Sequence, residues 1–206
     1  LDGLARERVM GEMEKALTRS RRPSRCFEAL REMGQLEPWL KEVAALIGVK
    51  QRADCHPEGD AWTHTMLVVD KAAKLRDEAK NPTGLMLAAL LHDVGKAVAM
   101  QEKDGVIHAY GHETAGVPLA EEFLRRLTGE KALCRYVLNM VELHMKPNMY
   151  AAQNSGQKAW NRLFDRSACP EDLLLLAKAD HRGRINAAPY AETERTIRAR
   201  LSAYEE

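Results

Sequence analysis

The stretch ALLHDVGKA, residues 89–97, sets an imidazole, a carboxylate and an ammonium group close together as His92, Asp93 and Lys96. They follow the apolar run Leu85–Leu91, so charge is delivered to the end of a strongly hydrophobic segment. A charge carried into a core needs an ion-pair partner or a metal ion. On local grounds alone the pair His92–Asp93 also fits a capped helix end with a salt bridge. More distant residues change that balance: His64, His112, His144 and Asp180 each fall at or near a predicted helix or helix end. A helical bundle can bring such positions to one interior point. Imidazole with carboxylate suits Ni, Mn, Co, Fe or Zn, with Mg as a harder alternative; four ligands would hold one ion and six could hold two. Gly95 permits a close backbone approach, and Lys96 supplies a cation that a phosphate beside a metal would use.

The elements that must position these groups have helical periodicity, and an aromatic content of 5% disfavours a sheet-rich fold. The expected class is all-α. Val9, Met13, Ala16 and Leu17 form the stripe of a first helix that should stop before Arg19 and the break at Pro23. Ser24 can cap a short helix carrying Phe27, Leu30 and Met33, and Pro38 can open a third with Trp39 or Leu40, Val43, Leu46 and Ile47 inward. After an irregular segment, Asp60 can cap a longer helix through Leu75 that holds His64 early in its course. The apolar helix follows over about residues 83–95, and Asp104–Gly105 then predicts a small β-hairpin or a loop. Helices are expected near 112–127, 130–145, 157–165, 171–181 and 192–204, with residues 148–156 a loop.

Composition bounds the partners. The 206 residues, 45% hydrophobic, can bury one good core. Lys+Arg 31 against Asp+Glu 30 leaves a net charge of +1, so no global field recruits nucleic acid or membrane and any anion site must be local. Cys26, Cys55, Cys134 and Cys169 form no CxxC pair, which points to free thiols in a reducing compartment and a cytoplasmic protein. No signal-peptide core or membrane-spanning run is visible. Nothing in the pattern sets an oligomeric state.

Taken together, HPEGDAWTHTMLVVD, ALLHDVGKA, GHETAG, ELHMKP and KADHRGR resemble the HD-domain metal-dependent phosphohydrolases. They are most similar to the branch attached to bacterial CCA-adding tRNA nucleotidyltransferases. The resemblance covers roughly residues 48–186 and implies an HD helical bundle over 48–206 with a C-terminal helix. Residues 1–47 are similar to the helical, neck-like segment that precedes it in those enzymes. The nucleotidyltransferase head has no counterpart in these residues: neither a strand-borne Asp-x-Asp nor a glycine-rich phosphate loop is present, so they cannot add nucleotides alone.

The resemblance makes His64, His92, Asp93 and Asp180 the core ligands of a divalent transition metal. It makes His112 and His144 the positions that hold a second ion in two-metal relatives. Asp93 and Lys96 are its catalytic candidates, and Lys96, Arg182, Arg184 and His56 its substrate contacts. Glu58 and Asp60 border the expected pocket or else form a turn and helix cap, and His108 is expected to be peripheral. The implied chemistry is phosphatase and 2′,3′-cyclic phosphodiesterase action on phosphate esters of nucleotides or RNA ends, in a tRNA 3′-end processing or repair context. Metal-activated water would attack phosphorus in line. An alternative is a non-catalytic tRNA- or RNA-binding part of such an enzyme, with Arg19, Arg21, Arg22 and Arg25 on a nucleic-acid backbone. No aromatic residue interleaves them, as a solvated linker would also explain.

Overall fold

A computed structural model describes residues 4–206; the first three residues of the N-terminal segment lie outside the described residues. The fold is all-α with one short hairpin. In chain order the elements are α1 (Arg6–Arg19), α2 (Ser24–Glu32), α3 (Lys41–Ala44), α4 (Ala61–Ala72), α5 (Pro82–Leu91), α6 (Lys96–Ala99), β1 (Gln101–Lys103), β2 (Val106–His108), α7 (His112–Leu127), α8 (Lys131–Leu143), α9 (Lys146–Ala152), α10 (Gln157–Arg166), α11 (Pro170–Gly183) and α12 (Ala191–Glu205).

Helix α5 is the centre of the bundle. Asn81 caps it by accepting from Gly84 N at 2.8 Å, and Pro82 occupies its first turn, where a missing N–H costs nothing. Every residue from Gly84 to Leu91 is buried, so the helix is apolar all round and is enclosed by α4, α8, α11 and α1. Each fully buried leucine there contributes about 2 kcal/mol of transfer free energy. At the opposite end from His92, Asp172 of α11 accepts from the backbone N–H groups of Lys80 and Asn81, both at 2.9 Å, which fixes where α5 begins.

Beside it, α4 packs along α11, and Gly183 makes the approach tight: a Cβ there would lie 2.4 Å from Val68 Cγ2. Asp60 caps α4, accepting from Thr63 N at 2.9 Å, as the sequence implied. Residues on both sides of position 48 share one hydrophobic core, with Leu17, Phe27, Val43 and Leu46 buried alongside Trp62 and Leu85. Trp62 Nε1 donates to Glu28 at 2.8 Å, and Arg126 of α7 pairs with buried Glu42, which tie the first helices to the rest.

Several local expectations are corrected. Ser24 does not cap α2; it is the helix's first residue, and Asp70 of α4 accepts its N–H at 3.0 Å and its hydroxyl at 2.8 Å. The third helix shrinks to one turn that ends at Ala44, so Ile47, expected to face inward, lies beyond it and is exposed. Residues 148–156 are not all loop. Pro147 halts α8 and at once serves as a first-turn proline for α9, which ends before Asn154 at φ 49°. The apolar helix stops at Leu91 rather than 95, and the tight turn bonds Val94 N to Leu91 O and Lys96 N to Asp93 O carry the chain into α6.

Candidate metal centre

The end of α5 meets the N-terminal turns of α4 and α7 and the C-terminal turns of α8 and α11. Gly95 makes this convergence possible. A Cβ on it would lie 1.9 Å from His112 O and 2.5 Å from Gly116 N, so the glycine's close approach is to the backbone of α7.

His64, His92, Asp93, His112, His144 and Asp180 are all buried and all brought together. Asp93 is the shared member. Its Oδ2 lies 3.2 Å from His92 Nε2 and 3.7 Å from His64 Nε2; its Oδ1 lies 3.2 Å from His112 Nε2 and 3.8 Å from His144 Nε2. Asp180 Oδ1 sits 3.0 Å from His64 Nε2. The donors therefore sort into two sets with Asp93 common to both, an arrangement with room for one ion or two.

The other nitrogen of each ring is already engaged. Nδ1 of His92, His112 and His144 donates to the carbonyl three residues earlier, Ala89, Ala109 and Val141, at 2.9, 2.8 and 2.7 Å. His64 Nδ1 instead faces Glu58 Oε1 at 2.7 Å. Since carbonyls and carboxylates only accept, each Nδ1 carries the proton, and in the neutral ring Nε2 presents a lone pair to the common centre. His92 Nε2, fully buried, has no hydrogen-bond partner. A buried nitrogen left in that state is costly unless something binds it, so the donor set fits a divalent ion.

The electrostatics are those of a site built to hold positive charge. Burial alone would raise Asp93 and Asp180, but neighbouring His92 and Lys96 hold Asp93 well below the usual carboxylate range, and the close contact with the His64 ring, with Arg184 nearby, does the same for Asp180. Against its own burial, His64 is raised by Asp180 and Glu58, and His112 by Asp93. His144, enclosed and beside His92, is pushed down to about 3.

A cavity of about 300 Å³ opens from this centre. Asp93, His112 and Asp180 form its floor, Lys96 and Arg184 its cationic wall, and His56, His108 and Tyr110 lie toward its mouth. Lys96 Nζ is 2.7 Å from Asp93 Oδ2 and donates to Gln51 Oε1 at 2.7 Å. Arg184 Nη2 is 3.7 Å from Asp180 Oδ2. Arg182 is not part of this wall: it is exposed, because a residue two beyond Asp180 on a helix does not share its face. Arg19, Arg21 and Arg25 are exposed and Arg22 lies 3.4 Å from Asp70; none of the four lines the cavity.

Two features escaped the sequence. Glu58 appeared only as a residue of the pocket border, yet its buried carboxylate joins His64 to His56 Nδ1, the latter at 2.8 Å. The hint was its place just before the cap of the helix that carries His64. Tyr110 carried no signal beyond its position two residues before His112.

Among the described residues, no helix is long and apolar enough to cross a membrane. The family model for the HD domain matches residues 61–201. The chain is 38% identical over 211 residues to a Multifunctional CCA protein of Burkholderia cenocepacia (strain HI2424), covering 98% of this chain and 49% of that one. It is 37% identical over 211 residues to one of Ralstonia nicotianae, covering 98% and 47%. To one of Actinobacillus pleuropneumoniae serotype 5b it is 36% identical over 190 residues, covering 88% and 44%. The chain thus spans about half the length of the curated relatives it matches. With the family model spanning most of the bundle and His64, His92, Asp93 and Asp180 gathered at its centre, the chain belongs to the HD-domain family.

Proposed function

We propose that this chain is a metal-dependent phosphohydrolase, a phosphatase or 2′,3′-cyclic phosphodiesterase, acting on phosphate esters of nucleotides or RNA ends. The observation that carries the reading is the buried His92 Nε2, 3.2 Å from Asp93 Oδ2 yet without a hydrogen-bond partner, among imidazoles that are each locked by a hydrogen bond at Nδ1. His64, His92, Asp93 and Asp180 would hold one divalent ion, and His112 and His144 a second through Asp93. A bound ion supplies Lewis-acid chemistry, acidifying a water and taking up charge on phosphoryl oxygens.

The protein's own groups do the rest. Asp93 and Asp180 orient that chemistry at the cavity floor, while Lys96 and Arg184 neutralise the charge that grows on the phosphoryl oxygens. Glu58 keeps His64 in the ligating tautomer. The similarity to proteins named Multifunctional CCA protein supports a tRNA 3′-end context. Hydrolysis of bis(4-nitrophenyl) phosphate, 4-nitrophenyl phosphate and 2′,3′-cyclic AMP across Ni, Mn, Co, Zn and Mg tests the reading. Turnover with at least one ester and metal, abolished by chelation, is expected; inertness toward all of them would refute it.

A further inference from the structure

We propose that the strand-to-helix connection after β2 forms a nucleobase-stacking subsite, so that the cavity selects phosphate esters carrying a base over those that carry none. The inference rests on the phosphohydrolase reading for the reacting end of the substrate, and adds what holds the other end. His108 and Tyr110 stack on each other with ring centroids 4.9 Å apart and planes within 17°. Both line the cavity whose floor is Asp93 and Asp180. Tyr110 is 83% exposed, far more than packing requires of a tyrosine, so one aromatic face is open while the other is braced by His108. At about 300 Å³ the cavity exceeds what a phosphate group alone would fill, and Ile107 lines it together with this pair.

A braced aromatic face at the open end, with cations and carboxylates at the closed end, has the polarity of a nucleotide: base outward, phosphate inward. Stacking tolerates any base because each has a π-face, so the subsite favours nucleotides as a class rather than one base. The rings also limit how a base can tilt, since His108 sits on β2 and is held by the pairing of that strand with β1.

The test compares adenosine 3′-phosphate with glycerol 2-phosphate as substrates for the metal-loaded full chain, together with equilibrium binding of 1,N6-ethenoadenosine monophosphate followed by fluorescence anisotropy. Tyr110→Ala should lower kcat/KM for the nucleotide on the order of ten-fold and weaken ethenoadenosine binding similarly, leaving glycerol 2-phosphate unchanged; Tyr110→Trp should restore both. A mononucleotide and an oligoribonucleotide with the same 3′-terminal phosphate distinguish a free nucleotide from an RNA end as the source of the base. Equal losses on both substrates, or no loss of nucleotide binding, would overturn the subsite. If the wild type hydrolyses neither ester, the phosphohydrolase reading fails, and the anisotropy arm still decides the subsite.

Discussion

Glu58 Oε1 lies 2.7 Å from His64 Nδ1, and the same carboxylate oxygen lies 2.8 Å from His56 Nδ1. Although burial opposes it, these two contacts hold Glu58 down at about 2, so it is a permanent anion behind a ligand. The other buried imidazoles of the centre use backbone carbonyls for the same purpose. His64 alone depends on a side chain, which makes its orientation open to mutation.

Replacing Glu58 with Gln should therefore weaken metal binding without unfolding the chain, by roughly ten- to a hundred-fold, the usual effect of removing a carboxylate behind a ligating histidine. Isothermal titration with Mn or Ni measures it, with a thermal melt as the control for folding.

Metal removal should cost stability, because the centre packs four imidazoles and two carboxylates with one nitrogen unpartnered. A ligand present at a hundred times its Kd stabilises the state that binds it by about 2.7 kcal/mol. The melting temperature of the metal-stripped protein should rise with added metal and fall again with chelator. His92→Ala should remove the response.

Gly95→Ala should be among the more damaging single-methyl additions, since the new Cβ meets the backbone of α7 rather than a flexible side-chain tip. A loss of about 1–3 kcal/mol is expected in urea denaturation. Metal affinity should fall with it, because the contact displaces His112.

Asp60 links helix capping to pH. Burial pulls its pKa upward, but hydrogen bonds from Thr63 and Gly48 win and leave it depressed. A depressed carboxyl contributes stability above its unfolded value near 3.9 and loses it as pH falls through the folded value. Asp60→Ala should cost about 1 kcal/mol at neutral pH. The gap from wild type should narrow below about pH 4, as measured by denaturation at fixed pH values.

The helical class and the ligand residues were legible because each lies on an element with a strong apolar period: α4, α5, α8 and α11 carry His64, His92, His144 and Asp180 to one end of the bundle. What periodicity could not supply was the path of irregular chain. Glu58 reaches His64 from the segment before α4, and Tyr110 reaches the cavity from the turn before α7. Nor could it separate Arg182, exposed in α11's last turn, from Arg184, which follows the helix and lies 3.7 Å from Asp180. Ser24 misled for a related reason. Its capping pattern is local, whereas the group that fills the role, Asp70, comes from another helix.

The central claim is that the buried histidine and aspartate cluster holds a divalent ion that phosphoester hydrolysis requires. Titrating metal back into stripped protein, while bound metal and hydrolysis of 2′,3′-cyclic AMP are followed together, tests it most directly. Turnover should rise in step with occupancy, level off at one or two ions per chain, and be absent from His92→Ala along with the metal. Full turnover in stripped protein, or a His92→Ala variant that keeps both metal and activity, would contradict the account.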